Sequence, residues 1–111
     1  MKLADFVSKV PIRQVLRLDQ GKLVVFETGK LREQNPKNTF YEANVSLFDE
    51  KDELIWTVNG MDQCPHWNKQ GPDCFESAFL PEDCLYLISF WSLRFNLDVE
   101  TGFATYHSFM K

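Results

Sequence analysis

The stretch "LYLISFWSLRFNLDVETGFATYH", Leu85 to His107, decides how this chain folds. Its odd positions run Leu85, Leu87, Ser89, Trp91, Leu93, Phe95 and Leu97, an almost continuous apolar face. Its even positions are apolar through Tyr86, Ile88 and Phe90, then polar from Ser92 through Arg94, Asn96 and Asp98. A period of two is the pleat of a β-strand. The spacing therefore predicts a central strand over Leu85–Leu97, buried on both sides in its first half and on one side in its second. "DVETG" (98–102) is a short hairpin loop, with Gly102 suited to a left-handed or bulge position. "FATYHSFM" (103–110) is the returning strand.

Working upstream, "LIWTV" (54–58) places Leu54, Trp56 and Val58 on one face, and "TFYEANVSLF" (39–48) alternates the same way. The charged tip "DEKDE" (49–53) joins them into a hairpin. "IRQVLRL" (12–18) and "KLVVFET" (22–28) flank the turn "DQG" (19–21) and form another. In the first, Ile12, Gln14, Leu16 and Leu18 share a face opposite Arg13 and Arg17. "GKLREQNPKN" (29–38) is a polar connection. Leu3, Phe6, Val7 and Val10 have the spacing of one helical face, which Pro11 would end, and a strand fits the same residues nearly as well.

These segments imply a mainly β chain, a single domain over residues 1–111, folded as an antiparallel β-sandwich or partly closed barrel of about six strands. There is room for one short helix, at the N-terminus or around Phe75–Phe79, and an α+β arrangement is the alternative. The phrase "LYLISFWSLRFNLDVETG" resembles a repeat of quinoprotein-type β-propellers. A propeller needs at least four blades of four strands, so the likeness is taken as shared hairpin chemistry, with no cofactor implied.

Charge divides the chain. Residues 1–39 carry eight Lys or Arg and four acids, whereas residues 40–111 carry four bases and twelve acids, for a net charge of −4. An acidic half disfavours nucleic acid and anionic membrane as partners and favours a basic protein. No apolar run reaches the roughly 18 residues of a membrane span. "MKLADFVSKVPIRQ" lacks the apolar core of a signal peptide, so a cytoplasmic location is the default expectation. The odd cysteine count, Cys64, Cys74 and Cys84, fits reduced thiols.

Motifs for chemistry are weak. Cys64, His66, Cys74 and Cys84 are zinc-type ligands, but their spacing matches none of the common zinc sites. Adjacent acids at hairpin tips are solvated and gain no raised pKa for acid–base work. The irregular connection Asn59–Cys84 is more informative, because long connections in small domains are often functional. It sets Trp67 and Phe75 among Asp62, Asp73, Glu76, Glu82 and Asp83, a composition suited to gripping a basic partner. The competing reading packs Trp67 and Phe75 into the core and leaves the acids in solvent.

In length, in acidity, in the segments "LRFNLDVETG" and "VSLFDEKDELIW", and in this acidic, aromatic loop, the chain resembles the small cytoplasmic immunity proteins of bacterial contact-dependent inhibition and other polymorphic toxin systems. The resemblance implies a non-catalytic inhibitor that needs no cofactor or metal. Such a protein binds a cognate toxin, a basic nuclease-like protein, and covers its active site. In that case Asp62, Asp73, Glu76, Glu82 and Asp83 would meet Lys or Arg, and Trp67 and Phe75 would be the anchors. Two alternatives stay open: a small metal-binding or enzymatic domain built on Cys64, His66, Cys74 and Cys84, and a small-ligand-binding β-domain.

Overall fold

Alternating apolar residues on either side of Asp19–Gln20 close the first hairpin as their spacing predicts. In the computed structural model, which describes residues 1–28, 42–69, 73–81 and 84–109, β1 (Ile12–Leu18) pairs antiparallel with β2 (Gly21–Phe26). The polar connection 29–38 lies outside the described residues. β3 (Val45–Phe48) and β4 (Leu54–Thr57) complete a four-stranded sheet in the order β1-β2-β3-β4. A second sheet has the order β5-β6-β7-β8, from β5 (Phe75–Phe79), β6 (Tyr86–Ser89), β7 (Leu93–Leu97) and β8 (Ala104–Phe109). Each sheet is an up-and-down meander, and the two share one core. The protein is mainly β, an antiparallel sandwich with one short helix, α1 (Leu3–Val7), among the described residues. The two sheets do not close into a barrel.

The core follows the alternation. Leu23, Val25, Val45 and Leu47 of the first sheet join Phe75, Leu87, Leu93 and Phe95 of the second. Val24, Phe26 and Phe48 point the other way and are also buried, because the N-terminal segment covers them with Leu3, Phe6 and Val10. The Phe6 ring lies 5.4 Å from both Phe26 and Phe48. Asp5 secures the start of α1 by accepting the Lys2 backbone N–H at 2.9 Å. A register shift between Leu47 and Phe48 sends Leu54 to this back layer, while Trp56 and Val58 stay in the main core. Leu54 thus leaves the face that simple alternation gives it, since a bulge inverts the parity of the residues beyond it.

Eight strands stand where about six are expected. Leu85–Leu97 is not one strand: it turns at Phe90–Ser92, with Ser92 at φ 66°. Alternation cannot detect this turn. Ile88 pairs with Arg94 and Tyr86 with Asn96, so paired residues share parity and Leu87, Ser89, Leu93 and Phe95 all stay inward. No Gly, Pro or Asn marks the turn; it is held from elsewhere in the chain. The buried carboxylate of Asp73 accepts the Ser89 Oγ–H at 2.8 Å and the Trp91 N–H at 3.4 Å. Ser89 Oγ then accepts the Leu93 N–H at 3.1 Å. Phe75–Phe79, with its hint of helical spacing, is the strand β5 and pairs with β6.

β5 lies at the edge of its sheet, beside β1. Its outward backbone groups are met by side chains of the first sheet and of the segment leading into β3. Asn44, fully buried, accepts the Phe75 N–H at 2.8 Å and donates to Phe75 O at 2.7 Å and Phe26 O at 2.8 Å. Gln14 does the same for Ala78, accepting its N–H at 2.8 Å and donating to its O at 2.7 Å. Arg13 Nε donates to Glu76 O at 2.8 Å. An edge that would otherwise invite pairing by another chain is closed. At the β7–β8 turn, Gly102 takes φ 78°, and a Cβ there would come within 2.6 Å of the Trp56 ring.

The Asn44 amide is expected to be worth far more than that of Gln14. Asn44→Ala strands three buried backbone partners, at about 1–3 kcal/mol each. Urea unfolding should show a loss of at least about 3 kcal/mol for Asn44→Ala and roughly 1 kcal/mol for the less buried Gln14→Ala. Equal stability of Asn44→Ala and the parent would show that this amide does not join the sheets.

Candidate functional site

The loop before β5 is packed as structure. Trp67 is 8% exposed and Phe75 1%. The Trp67 ring lies 5.3 Å from Phe75 and 5.6 Å from Phe95, and its Nε1–H donates to Glu42 at 3.5 Å. Neither ring offers surface to a partner in this fold. Asp73 is fully buried and binds the backbone of Cys74 and the β6–β7 turn. Asp62 is exposed in a 3₁₀ turn over Met61–Gln63. Glu76 is half-exposed and faces Arg13 at 3.9 Å. Glu82 and Asp83 lie outside the described residues. The aromatics and acids that suggest a binding loop are thus divided between core and surface.

The thiols and imidazoles do not form a centre. Cys64 and Cys74 are buried, and Cys84 is exposed. The His66 ring packs 5.4 Å from that of Tyr106. Among the described residues no group of three or more His, Cys, Asp or Glu side chains is placed to hold a metal, so Cys64, His66, Cys74 and Cys84 do not converge as a ligand set.

Three connections instead meet around a cleft. Residues of the β1–β2 turn, Leu80 and Leu85 beside β5 and β6, and Leu97 and Val99 at the β7–β8 turn line an open cleft of about 560 Å³. Leu18, Leu80, Leu85, Leu97 and Val99 supply apolar walls, and Arg17, Asp19 and Gln20 line one side. A neighbouring hollow of about 370 Å³ shares Arg17, Leu18 and Asp19 and reaches Asp49 and Glu50 at the β3–β4 turn. Asp19, Glu50, Asp98 and Glu100 are exposed on these turns, and none of them has an ion-pair partner among the described residues. Asp49 is held below the usual aspartate range, chiefly by the Glu53 backbone N–H that it accepts. Apolar walls within a charged rim, here Arg17, Lys22, Asp19, Asp49 and Glu50, have the anatomy of a protein interface.

The sequence carries these acids at the tips of separate hairpins: "LDQG", "FDEKDE" and "LDVETG". Each tip taken alone reads as a solvated turn. Packing of the two meanders brings Asp19 to one cleft with Leu80 and Val99, and the first sheet brings it to a second hollow with Asp49 and Glu50. The chain matches no family model, no curated protein and no solved structure.

Burial raises the pKa of Asp73, against the opposing pull of the Ser89, Trp91 and Cys74 hydrogen bonds. The folded chain therefore keeps this proton to a higher pH than the unfolded chain does. Between the ordinary aspartate range and the raised value, unfolding releases a proton, so the contribution of Asp73 to stability falls as pH rises. Asp73→Asn should remove this dependence. Urea midpoints taken from mildly acidic to neutral pH should show the parent losing stability relative to Asp73→Asn as pH rises, then a constant difference. A parent that gains relative stability over that window would show that hydrogen bonding outweighs burial.

Proposed function

We propose that the protein is a non-catalytic, protein-binding inhibitor of the immunity type, which covers the active site of a basic, nuclease-like toxin. The observation that carries this reading is the turn end of the sandwich, where a cleft with apolar walls is lined by Asp19 and the turns also carry Glu50, Asp98 and Glu100, exposed carboxylates without ion-pair partners among the described residues. Asp19 at the cleft, Glu50 at the neighbouring hollow, and Asp98 and Glu100 on the β7–β8 turn would form an acidic rim that meets Lys or Arg of the partner. Leu80, 42% exposed at the cleft, would receive an apolar anchor. Charge of this sign speeds encounter with a basic protein, and a desolvated apolar centre slows its departure. The contact surface is accordingly assigned to the turn end, not to Trp67 and Phe75.

Co-expression with a toxin-like protein encoded beside this chain, followed by co-purification and a toxicity assay, tests the proposal. Binding should weaken with added salt. The pair Asp19→Lys and Glu100→Lys should slow association on the order of tenfold. Leu80→Asp should speed dissociation on the order of tenfold, about 1.4 kcal/mol. Toxicity that persists with no retained partner, or binding that ignores salt and all three substitutions, would overturn it.

A further inference from the structure

The outer face of the second sheet carries a feature of opposite sign. Tyr86 and Ile88 point away from the core, as do Arg94 and Asn96 of β7 and Thr105 and His107 of β8. None of these residues is an acid, in a chain whose net charge is −4. The apolar even positions of the β6 segment are therefore not a second buried face. Phe90, in the turn after β6, is 50% exposed.

Arg94 is held on an aromatic platform at the centre of this face. Phe79 and Tyr86 stack with centroids 5.3 Å apart and planes 28° apart. The Arg94 Cζ lies 3.7 Å above the Tyr86 centroid and 5.2 Å from that of Phe79. His107 sets its ring 5.8 Å from Tyr86 in an edge-on contact. Arg94 makes no side-chain hydrogen bond and no ion pair among the described residues, and its Nε is shut off from solvent without an acceptor. A part-buried guanidinium is ordinarily paired with a carboxylate. Here stacking fixes its plane while its N–H fork is left without an acceptor among the described residues.

We propose that this face docks an acidic segment of a partner protein, with one Asp or Glu carboxylate taken end-on by the two Nη groups of Arg94. The guanidinium fork matches a planar carboxylate, and the stacked rings pre-orient it, so little ordering remains to be done on binding. Ile88 and Phe90 would cover aliphatic or aromatic neighbours of that carboxylate. A phosphate is a poorer fit, since no Lys or second Arg stands on this face among the described residues to share its charge. The inference rests on a surface and a charge separate from the acidic rim, and either can fail alone.

The test is an NMR titration of the ¹⁵N-labelled full chain with an acetylated, amidated pentapeptide containing two Glu and one Leu. The same peptide with Gln for Glu and inorganic phosphate are the controls. Saturable shifts should centre on the Arg94 Nε–H, the Tyr86 amide and the His107 amide. The Gln peptide and phosphate should bind at least tenfold more weakly. Arg94→Lys keeps the charge but loses the fork, and should cost at least tenfold; Arg94→Gln should cost the same. Equal binding of the Glu and Gln peptides by the parent would overturn the inference whether or not the variants fold. So would phosphate binding as tight as the Glu peptide, an unchanged affinity in Arg94→Lys, or shifts confined to the turn end.

Discussion

The sandwich depends on one buried amide. Asn44 binds both backbone groups of Phe75 and the carbonyl of Phe26, and so ties the edge strand of the second sheet to the first. Apolar burial favours any close packing of two sheets, because it has no direction. A buried amide does have direction: it must find all its partners or lose their hydrogen bonds. The Asn44 contact therefore fixes where β5 sits against β2, and the Gln14 contact with Ala78 repeats the constraint along the same edge. With β5 fixed, Phe75 lies against Trp67 and Phe95, and the core has one arrangement.

The second constraint is also polar and also made at a distance. Asp73 lies just before β5 and holds the turn between β6 and β7. A stretch that reads as one long strand is bent back on itself by a carboxylate 16 residues before Ser89. The turn conserves parity, so the same residues are inside whether or not it forms. Its effect is on topology: it converts a long strand into the two central strands of a four-stranded meander.

The two polar clamps act beside buried rings: Trp67, Asp73 and Phe75 are all given to the core, while exposed carboxylates stand on the turns. Those turns belong to both sheets, so the cleft they enclose exists only while the sheets are held in register. Its lining acid, Asp19, comes from the β1–β2 turn, and its apolar walls come from Leu18, Leu80, Leu85, Leu97 and Val99. The outer face of the second sheet is independent of that cleft and has the opposite charge.

Much of this was legible in the sequence. Period-two alternation identified β1, β2, β4 and β8 closely, the inward set of Leu87, Leu93, Phe95 and Leu97, the turn at Gly102, and the mainly β sandwich. Leu3, Phe6, Val7 and Val10 have a spacing that fits the short helix, and Leu3, Phe6 and Val10 do pack inward, but Val7 of the same stripe is exposed. These are local matters, set by backbone geometry and by where apolar side chains recur. What only the tertiary structure decided was non-local: the Ser92 turn, β5 in place of a helical hint, the burial of Asp73 and the division of Leu54 from Trp56. It also decided which exposed side chains meet. Asp19 lines one cleft with Leu80 and Val99, and Arg94 finds Tyr86 across the hairpin, because the partners come from different strands and turns. Alternation records which side of a strand a residue faces, but it carries no information about what lies opposite.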